Sequence, residues 1–240
     1  MDEETERLLK LGYLGPFSLP GLDLARLTDA IDRHTPQLAW PNKDYSKDLE
    51  HRPWFKSFHS LAPEFLDVAR HPDLLKIVHN AFSDRPTKLW GVAPLVKRAG
   101  VTHAWHSDIE TRFWPTLTVW LGLKGVNKRT SLRIISHTHK LTTAPNTLRN
   151  QGRSMQSNEE VLSAAQALEP ACELIIPEMK DGDCIILWGS LWHGTHNSSS
   201  NTRYAATFQY SDAGADIRIP LNFEKPVRWH KQKPRCYRTD

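Results

Sequence analysis

The second half of the chain most limits how it can fold. From about residue 88, short runs of apolar, β-branched and aromatic residues recur between turn residues: 89-LWGVAPLV-96, 116-TLTVWLGL-123, 132-LRIIS-136, 173-ELIIP-177, 184-CIILW-188 and 204-YAATFQY-210. Each run has the length of a strand, and the series predicts a sheet-rich core. The turn 181-DGD-183 leads into a run that is apolar without interruption, which marks a tight entry into a buried strand.

The first third has a different period. In 22-LDLARLTDAIDRH-34, Leu22, Leu24, Leu27 and Ile31 recur near helical spacing. In 71-HPDLLKIVHNAF-82, Pro72 and Asp73 mark a start, and Leu74, Val78 and Phe82 form one stripe. Both are expected to be packing helices without chemistry. The polar stretch 142-TTAPNTLRNQGRSMQSNEEVLSAAQALEP-170 is too long for an ordinary connection. It is expected to end in a helix capped by Ser157 or Asn158, and to act either as a lid or as variable surface.

A chain of 240 residues that is 39% apolar and holds nine tryptophans can bury one sizeable core, so a single domain over 1–240 is expected. The three cysteines, Cys172, Cys184 and Cys236, form no CxxC, which indicates neither a disulfide framework nor a thiolate zinc site. The opening MDEETERLLK is acidic where a secretory signal is basic and then apolar, and no apolar run reaches the length of a membrane span. A cytoplasmic protein with no transmembrane segment is the expectation. The net charge of +4 and the tail 228-RWHKQKPRCYR-238 fit a solvated surface, or one that attracts an anionic substrate or touches an acidic membrane peripherally. No nucleic-acid module accompanies the charge, so no nucleic-acid partner is expected.

The chemistry centres on 104-AWHSDIE-110. Residues i and i+2 of an extended segment share a face, so His106 and Asp108 can reach one metal. A further histidine would complete a two-histidine, one-carboxylate triad, the donor set that leaves positions on Fe(II) open for a chelating cosubstrate and O2. His193 is the best placed, with His196 as its competitor. Arg203 follows at a distance that lets the chain turn and return on a neighbouring strand, where a guanidinium clamps a dicarboxylate. Lys97, shortly before the His-x-Asp pair, is expected on a neighbouring strand facing cosubstrate or substrate. Glu110 and Arg112 are candidates for substrate contact. His103, His137 and His139 read as structural residues, with the pocket wall as the alternative, and Trp105, Trp114, Trp120, Trp188 and Trp192 as core or pocket wall.

Four stretches, in order, resemble the Fe(II)- and 2-oxoglutarate-dependent oxygenases of the phytanoyl-CoA dioxygenase type. They are 9-LKLGYLGPFSL-19, the WHSD of residues 105–108, 134-IISHTHK-140 and 182-GDCIILWGSLWHGTHNSSSNTR-203. The third departs from the family pattern at Ser136 and His137. The resemblance implies that His106, Asp108 and His193 bind iron, that Arg203 pairs with the distal carboxylate of 2-oxoglutarate, and that Thr195 places its hydroxyl on the same carboxylate. It implies a mainly β fold with flanking helices, a double-stranded β-helix or cupin-like jelly roll. Residues 1–87 would be helical support, 88–220 the jelly-roll core and 221–240 a basic tail. Asp108 argues against the related halogenases, and no side chain is assigned as acid or base. The implied outcome is hydroxylation or desaturation of a small molecule or glycolipid, anionic by the basic balance of the chain. The stretches 105-WHSDIE-110 and 118-TVWLGL-123 are similar to members that act on surface-polysaccharide sugars, including the Kdo sugar of lipopolysaccharide. A zinc hydrolase on the same triad and a non-catalytic ligand-binding β-sandwich are the alternatives, and the oligomeric state is left open.

Overall fold

The protein is described by a computed structural model over residues 2–40, 48–221 and 227–239. Strands β1 (Tyr13–Ser18), β2 (Thr87–Lys97), β4 (Leu117–Lys124), β7 (Asp183–Trp188), β9 (Arg203–Asp212) and β10 (Tyr237–Arg238) form a six-stranded sheet in the order β1-β7-β4-β9-β2-β10. Strands β3 (Thr102–His106), β5 (Leu132–Ile135), β6 (Leu174–Ile175) and β8 (Trp192–His196) form a four-stranded sheet in the order β3-β8-β5-β6. The strands pair antiparallel throughout both sheets. From β2 to β5, and again from β6 to β9, the chain passes from one sheet to the other, which makes the double-stranded β-helix that the resemblance implied.

The period-2 alternation of each strand decides what the two faces of the large sheet bury. Leu117, Val119 and Leu121 of β4, with Phe208 and Tyr210 of β9 and Ile186 of β7, join Leu8, Leu27, Ile31, Val68, Leu74 and Val78 in one core cluster. Those partners come from α1 (Glu3–Leu11), α2 (Leu24–His34), α3 (Glu64–Ala69) and α4 (Pro72–Ala81), so four helices cover this face. Trp120, Ile185, Leu187 and Ala205 point the other way and pack with Leu132 and Ile134 of the small sheet. A strand covered on both faces needs apolar residues at every position, and that is why β7 reads as one unbroken run. Both helical stripes seen in the sequence fold as expected. Asp23 caps α2 by accepting the Arg26 N–H at 3.0 Å, and Pro72 opens α4.

Four strands are not visible as apolar runs, among them β3, THAWH, which carries His106. β1 carries Gly15 and Pro16 and lies at the sheet edge, where a missing N–H is tolerated. β8 reads as polar, WHGTH, because its inward residues build the site rather than the core. β10 belongs to the basic tail. Of that tail, residues 222–226 lie outside the described residues, but its end is not a solvated extension: Tyr237 and Arg238 pair with Leu89 and Lys88 of β2. The His59 ring also bonds to the Arg235 carbonyl at 3.0 Å. A strand edge with open N–H and C=O groups is the reason a basic segment can dock here.

The stretch from 142 to 170 is a wall. Leu148 of α5 (Pro145–Asn150), Met155, and Val161 and Ala165 of α6 (Asn158–Gln166) pack on Trp105, Ile135 and Trp192 at the outer face of the small sheet. Ser157 starts α6 with a capping box closed by Glu160. No helix among the described residues is long and apolar enough to cross a membrane.

Candidate metal centre

The triad forms where the small sheet meets the loop that follows β3. His106 ends β3 and lies opposite His193 of β8 in the register. His193 therefore sits within a strand. Asp108 lies just past β3, in extended backbone, at the start of a 3-10 turn over Ile109–Arg112. Its N–H donates to the Gly189 carbonyl at 2.7 Å. A Cβ at Gly189 would lie 2.8 Å from the Thr111 methyl and 3.1 Å from Asp108 Oδ2, so only glycine lets the β7–β8 turn come this close.

Hydrogen bonding leaves one donor atom free on each ligand. His106 Nδ1 lies 2.8 Å from the Ala104 carbonyl, and His193 Nδ1 lies 2.8 Å from the Leu191 carbonyl. A carbonyl only accepts, so both Nδ1 atoms carry the proton and both Nε2 atoms present a lone pair. Asp108 Oδ2 accepts from Thr118 Oγ1 at 3.0 Å and from Gln209 Nε2 at 3.4 Å. That leaves Oδ1 to face the imidazoles, 3.8 Å from His106 Nε2 and 3.7 Å from His193 Nε2. The three ligand atoms all lie within 4.8 Å of one another. Two atoms bound at about 2.1 Å to one ion are at most about 4.2 Å apart, so small side-chain adjustments complete the site. Burial, then the neighbouring His193 and His103, hold His106 well below its ordinary pKa, which keeps it a neutral ligand. Burial pushes Asp108 upward, but His193, Lys56, His106 and the Thr118 hydroxyl outweigh it and hold the carboxylate ionised.

Beside the triad is an acceptor site for an anion. Arg203 is 1% exposed and lies 5.1 Å over the Trp120 ring. Its Nη1 donates to the Thr130 carbonyl at 3.1 Å, but Nε and Nη2 have no partner among the described residues. Burial alone pushes its pKa down to about 10. The buried Thr195 hydroxyl is also unpartnered. Lys97 lies opposite Arg203 in the β2–β9 register, and burial followed by the Arg203 charge lowers its pKa. Orphaned buried donors are costly, and two adjacent cations without a carboxylate repel. A dicarboxylate with one end at Arg203 relieves both, so these residues fit 2-oxoglutarate as the triad fits iron.

All six residues line one cavity of about 450 Å³ between the sheets. His103 stacks on His106 at 4.3 Å and lines the same cavity; although its side chain is exposed, the protein on its cavity side and then Lys97 lower its pKa. Glu110 also reaches the cavity. His196 points away and bonds to Thr102 Oγ1 at 2.6 Å, His139 bonds to the Leu9 carbonyl at 3.1 Å, and Arg112 is exposed. The cavity walls include Lys56, Thr118 and Gln209, which the sequence reading missed. Gln209 and Thr118 left a signal, a polar residue on one face of an otherwise apolar strand. Lys56 left none, being remote in sequence from every motif.

The sequence matches the family described as Phytanoyl-CoA dioxygenase (PhyH) over residues 10–205. No curated protein matches it significantly. Among solved structures, the fold is similar to HygX from Streptomyces hygroscopicus with nickel and 2-oxoglutarate bound. The TM-score is 0.66 at 15% identity, over 91% of this chain and 90% of that one. It is similar also to the epimerase SnoN in complex with Fe3+, alpha ketoglutarate and nogalamycin RO, with a TM-score of 0.64 at 17% identity over 97% and 93%. AviO1 from Streptomyces viridochromogenes Tue57 gives a TM-score of 0.58 at 16% identity over 88% and 95%. At such identities the likeness is one of fold.

Proposed function

Because the chain belongs to the phytanoyl-CoA dioxygenase family and is an Fe(II)- and 2-oxoglutarate-dependent oxygenase, we propose that it hydroxylates an unactivated C–H bond of an anionic metabolite or sugar conjugate. In this reading His106, Asp108 and His193 hold Fe(II), while Arg203, Thr195 and Lys97 hold 2-oxoglutarate. The observation that carries it is the buried Arg203 with two unpartnered nitrogens beside a two-histidine, one-carboxylate cluster. A zinc hydrolase would instead need a free general base near a bound water. Glu110 is the only other carboxylate on the cavity wall among the described residues, and Lys56 holds it in an ion pair at 2.5 Å.

When bound, iron with 2-oxoglutarate and O2 supplies the oxidising power, one oxygen atom entering the substrate and the other the succinate formed with CO2. The protein does the rest. The Ala104 and Leu191 carbonyls fix both imidazole rings, and Thr118 and Gln209 hold one carboxylate oxygen so that the other turns inward. Arg203 and Lys97 orient the cosubstrate and neutralise its charge. Trp120, Leu132, Leu187 and Leu95 give the cavity apolar walls that exclude bulk water. No side chain has to move a proton. The net charge of +4 supports an anionic substrate, a small molecule or a glycolipid. The Kdo sugar of lipopolysaccharide is the first candidate to try, in the cytoplasm where three unpaired cysteines are at ease.

Anaerobic addition of Fe(II) and 2-oxoglutarate is expected to give a weak visible charge-transfer band that is lost in His106→Ala. With substrate and O2, the product is expected to gain one oxygen atom. A wild-type protein that shows no band, and makes no succinate with any candidate, overturns the oxygenase assignment of these residues.

A further inference from the structure

The cavity wall also holds a buried ion pair that belongs neither to the triad nor to the Arg203 cluster. Lys56 Nζ lies 2.5 Å from Glu110 Oε1, with the side chains 11% and 3% exposed, and both residues line the cavity. The ammonium sits among aromatic rings, 5.1 Å from Trp90, 5.9 Å from Phe55 and 6.0 Å from Trp54. Lys56 is anchored by its carbonyl, which accepts the Val92 N–H at 2.7 Å. Lys97 is five residues beyond Val92 on β2, roughly 16 Å along the strand. The backbone anchor of Lys56 thus lies well along β2 from Lys97, which stands opposite Arg203. Glu110 stands on the 3-10 turn that Asp108 opens, so the pair is fixed relative to the metal ligand.

We propose that the Lys56–Glu110 pair is the substrate-recognition subsite, and that it takes one polyhydroxylated ring, a single saccharide unit, by an adjacent pair of hydroxyl groups. This rests on the oxygenase reading only for which carbon then lies beside the triad. The pair presents a donor and an acceptor side by side in apolar surroundings. Each hydroxyl of an adjacent pair both donates and accepts, so the two together satisfy an ammonium and a carboxylate at once. A hydrocarbon chain would leave both ions stripped of water, and a lone carboxylate placed on Lys56 would also meet Glu110. Size agrees with chemistry. A cavity of about 450 Å³ is at the small end of the ~300–1,000 Å³ range of ligand pockets, and part of it holds the cosubstrate. What remains admits one ring, with any lipid or further sugar left outside. Phe55, on the cavity wall and stacked on Trp40 at 5.4 Å, adds an apolar surface for the C–H face of such a ring.

The test is binding, measured by calorimetry on the protein loaded with Ni(II) and 2-oxoglutarate and, separately, on the unloaded protein. The probes are methyl hexopyranosides, the methyl glycoside of Kdo, a tetrahydropyran lacking the hydroxyl pair, and octanoate. The pyranosides are expected to bind while the tetrahydropyran and octanoate do not. The double variant Lys56→Met/Glu110→Leu, which leaves no charge unpaired, is expected to weaken pyranoside binding by about tenfold or more, the worth of one charge-assisted hydrogen bond. Its melting temperature should match or exceed that of wild type, and the loss of pyranoside binding should appear in the unloaded protein too, where the effect of the Lys56 charge on the metal ligand Asp108 plays no part. A pair that merely braces the fold predicts the reverse, a lower melting temperature with pyranoside binding intact, and that result overturns the proposal. So does a wild type that binds no pyranoside, or that prefers octanoate. Should the double variant not fold, Glu110→Gln gives the same reading: weakened pyranoside binding supports the subsite, unchanged binding refutes it. Failure of 2-oxoglutarate to bind wild type would sink the oxygenase reading instead, and is scored apart from the sugar titration of the unloaded protein.

Discussion

At the scale of single residues, the site is a set of polar groups whose hydrogen bonds are deliberately incomplete. Each imidazole spends Nδ1 on a backbone carbonyl and keeps Nε2, and Asp108 spends Oδ2 and keeps Oδ1. Arg203 keeps two nitrogens. A buried guanidinium without an anion costs free energy in the empty protein, which leads to a test with two opposite signs. Arg203→Met should leave the melting temperature of the unloaded protein unchanged or raise it, while weakening 2-oxoglutarate binding by about tenfold or more. A variant that melts lower and binds 2-oxoglutarate normally would show that Arg203 serves the fold. His106, Asp108 and Arg203 were legible in the sequence because their residue types are expensive in a β-rich core unless something is bound. Lys56 was not legible, since its meaning lies in a partner far away in the chain.

At the scale of elements, the apolar runs at β2, β4, β7 and β9 foretold the large sheet because strands buried on both faces have no other composition available to them. The polar strands escaped. β8 alternates toward the site and β10 is held by an edge, so neither shows an apolar period. Residues 142 to 170 pack as a wall: Val161 and Ala165 are fully buried against the small sheet, while Asn146 reaches the cavity. Wall and site should therefore be separable. Ser157→Ala removes the capping box of α6 and is expected to cost about 1 kcal/mol of stability by chemical denaturation. Metal and 2-oxoglutarate affinities should not change; if they fall with it, the helix governs access after all.

At the scale of the whole molecule, two sheets and their helices bury several histidines that must stay neutral. His59 is 1% exposed, and burial holds its pKa below the ordinary 6.5 despite its bond to the Arg235 carbonyl; His139 is shifted the same way, again by burial. The unfolded chain takes up protons at these positions near pH 6.5 while the folded one does not yet do so. Stability is thus full above pH 6.5 and falls as the pH drops below it, by at most about 1.4 kcal/mol per pH unit for each group. Melting curves of the metal-free protein from pH 7.5 to 5 should show this slope, and His59→Gln should flatten it; an unchanged slope would assign the acid sensitivity elsewhere. The sequence by itself determined the β-rich class and the two helical stripes, because periodicity is a local property of the chain, and it put forward His106, Asp108, His193 and Arg203 as candidates through their residue types and motif order. The tertiary structure alone decided which atoms of those residues stay free, that the insertion is a wall, that the tail is a strand, and that Lys56 meets Glu110 across the cavity. Those depend on distances between segments remote in sequence, which no local pattern encodes.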